Sequence, residues 1–155
     1  MDLATYAQNY VKLGWSVFPI EPNGKRPLIK WEKYQTQRAT ENQVKKWWSK
    51  YPNANVGIVT GVVSDLVVID IDSTNGQEQY IAKLSELHNT ISQKTGKPNA
   101  LQLFFKHPQD EKYHNRAGLF PDVDVRADGG YVVVAPSVHP NGTIYQWLIN
   151  PVDMG

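Results

Sequence analysis

Seven residues, Leu66-Val67-Val68-Ile69-Asp70-Ile71-Asp72, constrain the fold more than any other stretch. An aliphatic run with β-branched Val67, Val68 and Ile69 reads as a strand buried on both faces. It ends in two carboxylates one residue apart. Side chains at i and i+2 of a strand share a face, so Asp70 and Asp72 project together, roughly 6.6 Å apart along the strand. Unpaired, they repel each other and are costly to desolvate. A divalent cation such as Mg²⁺ or Mn²⁺ removes both objections, because hard oxygen donors suit it. The plainer alternative is a strand that ends in solvent, with residues 72–76 as a turn. This stretch alone leaves both open.

Composition narrows the class. The 155 residues suit one domain, 1–155, large enough to bury a core. With 41% hydrophobic and 20% charged residues the chain is an ordinary globular protein rather than a disordered or fibrous one. No apolar stretch reaches the roughly 18 residues of a membrane span, and Met1-Asp2-Leu3-Ala4 lacks the basic start of a signal peptide. A cytoplasmic location with no membrane partner is expected. Without cysteine, disulfides and thiolate metal sites are excluded. The net charge of +1 gives no broad basic surface, though a local basic channel remains compatible with it.

Along the chain, Leu3, Tyr6, Ala7, Tyr10, Val11 and Leu13 recur at helical spacing, and Gly14 stands where a helix ends. Residues 15–20 read as a strand, followed by a Gly/Pro-framed loop carrying Lys25-Arg26-Pro27-Leu28. Two cations there serve either an anionic ligand such as a triphosphate or a solvated turn. Thr40 caps a helix whose stripe is Val44, Trp47 and Trp48. The tryptophan pair can stack on a base, but helical spacing favours the core. Residues 56–60 form a short strand, joined so tightly to the Asp70/Asp72 strand that an antiparallel hairpin is expected. Tyr80, Ile81, Leu84, Leu87 and His88 continue as a helical pattern. A loop at 95–99, a strand at 100–105 and a polar excursion at 106–118 follow. Val123-Asp124-Val125-Arg126 and 131–135 are strands, with a turn at Asp128-Gly129-Gly130. The loop containing Ser137 and His139 leads to a last hairpin arm at 143–148; loop geometry, rather than catalysis, is the expectation for those two residues.

Asp70, Asp72 and Asp124 thus lie in or at the ends of apolar strands. If the third pairs beside the first two, they form an acidic cluster able to hold two metals for phosphoryl or nucleotidyl transfer. Lys25 and Arg126 would then neutralise triphosphate charge, although Arg126 could equally bridge to Asp124 or Asp128. There is no nucleophile elbow, P-loop or dinucleotide fingerprint.

These residues, with Gly14-Trp15-Ser16-Val17-Phe18-Pro19-Ile20, Trp31, Asn55-Val56-Gly57-Ile58, Thr60-Gly61, Gly129-Gly130-Tyr131-Val132-Val133, Pro136-Ser137, Asn141-Gly142, Tyr145 and Trp147, carry a resemblance. Over nearly its whole length the chain resembles the N-terminal domain of bifunctional DNA primase/polymerases, the prim-pol family, within the superfamily of archaeal and eukaryotic replicative primases. The resemblance implies an α+β fold of the primase-polymerase catalytic-core type, a mixed, largely antiparallel central sheet flanked by helices. It implies that Asp70, Asp72 and Asp124 hold catalytic Mg²⁺ or Mn²⁺, and that nucleoside triphosphates and a DNA template/primer are the partners. Family members often carry a downstream helicase domain and belong to plasmids, phages or integrated elements; on that pattern this chain is an excised or minimal catalytic domain.

One position departs. The family's middle motif places a phosphate-contacting histidine where Gln102 stands, and its paired glycines are missing from 95–100. Glutamine donates a neutral hydrogen bond but carries no charge, and losing a charge-assisted contact costs roughly 1–3 kcal/mol. Lys97 or His107 is the candidate substitute. A catalytically weakened nucleotide- or nucleic-acid-binding module is therefore the rival expectation, and a metal-dependent phosphodiesterase or nuclease a third.

Overall fold

The computed structural model describes residues 2–72, 90–108, 116–120 and 123–154. The helical pattern around Tyr80 to His88, the turn at 73–76 and His114 lie outside the described residues. Helix α1 (Leu3–Lys12) begins where Asp2 Oδ1 accepts from the Thr5 N–H at 2.8 Å, a bond that also lowers the Asp2 pKa. Gly14, at φ +93°, lets the chain reverse beyond its end. Helix α2 (Glu41–Lys50) is capped by Thr40 Oγ1, 3.1 Å from the Gln43 N–H, and buries Val44, Trp47 and Trp48. The tryptophan pair is core. A one-turn helix α3 (Pro151–Met154) closes the described chain. Among the described residues no helix is long and apolar enough to cross a membrane.

The strands are β1 (Ser16–Ile20), β2 (Asn55–Val59), β3 (Val67–Ile71), β4 (Ile91–Lys94), β5 (Leu101–Phe105), β6 (Arg116–Phe120), β7 (Val123–Arg126), β8 (Tyr131–Val134) and β9 (Gln146–Ile149). They form an α+β fold with two antiparallel sheets rather than one: a three-stranded sheet ordered β1-β2-β8 and a six-stranded sheet ordered β6-β7-β3-β5-β4-β9. Helices α1 and α2 pack on the smaller sheet. The main core joins Val17, Phe18, Val56, Ile58 and Val132 of that sheet to Val68 and Phe104 of the larger one. The opposite face of the larger sheet carries a second cluster of Ile71, Leu103 and Val123. Strand β3 is thus covered on both faces, as its apolar run requires.

Three expectations are corrected. Strands β2 and β3 do not form a hairpin; only an isolated bridge, Gly61 to Leu66, links them before they part into different sheets. The cause is local. Gly61 sits at φ +96°, where a Cβ would meet Asp128 Oδ1 at 2.3 Å, and a short 3-10 turn at Val62–Ser64 with Asp65 in the left-handed region redirects the chain. The polar excursion at 106–118 also ends inside a strand, β6, which pairs with β7. The last arm begins later than expected, at Gln146, because Ile144 makes only an isolated bridge to Val138.

One buried amide welds the loops of the smaller sheet. Asn55, 1% exposed, donates through Nδ2 to the carbonyls of Gly24 at 3.1 Å and Val138 at 2.8 Å, and accepts from the Val138 N–H at 2.9 Å. Replacing it leaves buried backbone groups without those partners. Asn55→Ala should therefore lower unfolding stability by roughly 2–3 kcal/mol in urea denaturation; a loss under about 1 kcal/mol would show that the loops hold without it.

Candidate active site

The register of the larger sheet explains how distant residues meet. Asp70 lies directly opposite Asp124 on β7 and opposite Gln102 on β5, and Gln102 lies opposite Gln93 on β4. A polar row, Asp124–Asp70–Gln102–Gln93, crosses four strands on the face that looks toward the smaller sheet. One step along, on the same face, Val68 and Phe104 enter the core. The site therefore stands where the apolar packing between the two sheets stops.

Arg126, two residues beyond Asp124, reaches across this row. Its guanidinium is 3.9 Å from Asp70 Oδ2 and 3.7 Å from Asp124 Oδ2. The side chains of Asp70 and Asp124 are only 14% and 25% exposed, so both charges are partly desolvated. Burial pushes the Asp70 carboxyl up to about 6, and the negative charge of Asp72 adds to it. Arg126 and the Gln102 amide pull the other way without restoring the ordinary value. The row carries surplus negative charge.

Beside it opens a cavity of about 280 Å³, lined by Asp70, Gln102 and Arg126 from the larger sheet, by the Gly129-Gly130 turn and by Tyr131 of the smaller sheet, with Lys25, Trp31 and Tyr145 at its walls. The Lys25 loop is held by Asn55 at Gly24 and by the Tyr131 hydroxyl, which donates to the Lys25 carbonyl at 2.8 Å. Lys25 itself stays exposed. Burial raises the Tyr145 pKa and the charge of Asp70 raises it further, so this hydroxyl stays protonated.

The sequence-read residues fall into two groups. Asp70, Gln102, Arg126 and Lys25 line one cavity; Asp124 does not line it but pairs with Asp70 in the β3–β7 ladder, and Asp72 acts on Asp70 from the strand end. Among the described residues, however, no group of three His, Asp or Glu side chains is arranged to hold a metal ion, so the expected three-carboxylate cage is not closed. The Arg126 guanidinium lies between two of the three carboxylates and offsets part of their charge. Lys97 and His107, the candidate substitutes for the missing histidine, do not line the cavity. His107 is buried with Nε2 3.5 Å from Asp128 Oδ1, and Lys97 borders a separate cavity with Lys94 and Thr143. Ser137 Oγ accepts from the Val56 N–H at 2.8 Å, and His139 Nδ1 accepts from the Asn141 N–H at 3.2 Å while its ring lies on Gly96, where a Cβ would come within 2.0 Å. Both shape loops.

Sequence reading missed Tyr131, Tyr145 and Gln93 as parts of the site. Tyr131 follows a Gly-Gly turn, which was a usable signal; Gln93 became visible only through strand register.

A family model described as bifunctional DNA primase/polymerase, N-terminal, matches residues 7–154. Among curated proteins nothing matches the chain.

Proposed function

Since the chain belongs to the family of bifunctional DNA primase/polymerase N-terminal domains, we propose that it is a metal-dependent nucleotidyltransferase. On this reading it extends or primes nucleic acid on a DNA template from nucleoside triphosphates, in replication of a plasmid, phage or integrated element, alongside a helicase domain or partner. The observation that carries the reading is the direct cross-strand pairing of Asp70 with Asp124 beside a cavity that also receives Lys25 and Arg126.

The donor set fits a hard divalent cation. Asp70, Asp72 and Asp124 offer only carboxylate oxygens, and burial first, then the charge of Asp72, raises the Asp70 carboxyl despite Arg126 beside it. These three would hold Mg²⁺ or Mn²⁺, which when bound supplies Lewis-acid polarisation of the phosphate and of the attacking hydroxyl. Lys25, on a loop anchored at both Gly24 and its own carbonyl, binds the outer phosphates as a mobile point charge. Arg126 orients the carboxylates and offers its remaining donors to the triphosphate. Trp31 and Tyr131, ring centroids 4.9 Å apart, wall the cavity against water. The primer 3′-hydroxyl gives its proton to water, its oxygen forms the new bond to the α-phosphorus as the bond to the oxygen bridging the α- and β-phosphates breaks, and pyrophosphate leaves.

Primer extension with labelled deoxynucleotides and Mn²⁺ tests the reading. Incorporation is expected, and strand cleavage without use of triphosphate would point to a nuclease instead. Lys25→Ala should raise KM for the triphosphate roughly tenfold with kcat little changed, since a ground-state charge contact is lost; an unchanged KM would remove Lys25 from the site. A second reading, a binding module of reduced activity, is favoured by Gln102, whose amide is engaged within the protein. DNA binding with no incorporation under any metal would establish it.

A further inference from the structure

Gln102, which stands where the resemblance places a histidine, has a physical partner that no motif includes. Gln93 is 0% exposed and sits opposite Gln102 in the β4–β5 ladder. The backbone N–H of Ala135 donates to Gln93 Oε1 at 3.0 Å, and Gln93 Nε2 donates to the carbonyl of Val133 at 2.9 Å. A backbone N–H can only donate and a carbonyl can only accept, so these two bonds leave a single orientation for the Gln93 amide. Its remaining N–H goes to Gln102 Oε1 at 2.7 Å. With its oxygen so engaged, Gln102 keeps its own NH₂ for the side of its other cross-strand neighbour, Asp70, which lies directly opposite it in the β3–β5 ladder.

We propose that Gln93 is a positioning residue, locking the Gln102 amide so that its NH₂ faces the Asp70 carboxylate and Gln102 buttresses that carboxylate instead of binding phosphate. The lock is anchored on β8, in the other sheet, so the orientation of Asp70 is referred to the spacing between the sheets. A single-residue loss of the family histidine is thereby absorbed by a neutral relay. The consequence for the metal rests on the nucleotidyltransferase reading; the lock itself does not.

Side-chain amide exchange of the whole chain, followed by ¹⁵N NMR, tests the lock without any activity. The NH₂ groups of Gln93 and Gln102 should exchange at least about tenfold more slowly than that of exposed Gln37, since both side chains are buried, Gln93 is bonded to Val133 and Gln102, and the lock holds the Gln102 NH₂ against Asp70. In Gln93→Met the Gln102 amide should lose that protection, whereas in Gln102→Met the Gln93 amide should keep it through Val133 and Ala135. Fast exchange at Gln102 in the unmodified chain, a measurement that needs no variant to fold, overturns the proposal; so does unchanged protection in Gln93→Met. Manganese affinity supplies the functional arm. Gln93→Met should weaken it roughly 3- to 10-fold, and Gln93→Met/Gln102→Met no further than the worse single change, because the two act as one unit. Multiplying effects would overturn the relay. If the unmodified chain binds no manganese, it is the metal reading that fails, and the exchange data still decide the lock.

Discussion

Asp70→Asn is expected to abolish nucleotide incorporation on the nucleotidyltransferase reading, while leaving the metal-free fold more stable than the parent at neutral pH. The two effects have opposite signs for one reason. The carboxylate is held between burial, Asp72 and Asp124, so its pKa rises from 3.8 to about 6. A folded-state pKa above the unfolded one means the native protein binds the proton more readily. Stability therefore falls as pH rises from about 4 to about 6, and the full penalty, about 3 kcal/mol at most, persists above it. Asparagine removes the charge and with it that penalty, so the gap between variant and parent should open across this interval and then stay level. Loss of a ligand to a catalytic cation costs several kcal/mol of transition-state stabilisation, which is roughly 10³-fold or more in rate. Primer extension with Mn²⁺ and urea denaturation at pH 4.5 and 7.5 in chelator check the two halves. Incorporation within tenfold of the parent would remove Asp70 from the reaction, and a variant less stable at pH 7.5 would contradict the charge surplus.

What was legible in the sequence follows from the range of the forces involved. Thr40 announces α2 because its capping bond spans three residues, and the apolar repeat from Leu3 to Leu13 announces α1 because its spacing is local too; the Asp2 cap was not read from the sequence. The run from Leu66 to Ile71 announces a doubly covered strand because burial on both faces leaves no polar alternation. The nearness of Asp124 to Asp70 was only conditional, since nothing local sets the pairing of β3 with β7. The split into two sheets was hidden for the same reason. It depends on Gly61, whose contact with Asp128 lies 67 residues away in the chain, and a hairpin and a parting look alike until that contact is known. Gln93 shows the limit most clearly. A short polar stretch, Ser92-Gln93-Lys94, carries no strand signal, yet in register it puts a fully buried amide between two sheets.

Phe104→Ala is expected to lower unfolding stability by about 3–5 kcal/mol, the range for deleting a buried aromatic ring. Phe104 is 1% exposed and belongs to the core that joins the sheets. Its ring stacks with Trp15 at 6.0 Å and meets Trp147 edge-on at 5.3 Å. Trp147 in turn donates from Nε1 to the Tyr10 hydroxyl at 2.8 Å, and that hydroxyl donates to the carbonyl of Ala135. The deletion therefore opens a void in a group whose polar ends are already fixed, so collapse around it is restricted and the upper half of the range is expected. A domain of this size holds about 5–15 kcal/mol in total, so most of its margin goes. Phe104 also shares its face of β5 with Gln102, two residues away. Any shift of the sheets toward the void changes the distance that the Gln93 bonds to Val133 and Ala135 must span. Incorporation should then fall more steeply in Phe104→Ala than the folded fraction does at the same temperature. A loss under about 1.5 kcal/mol would mean that the sheets close over the gap freely, and activity that simply tracks the folded fraction would mean that the site does not depend on their spacing.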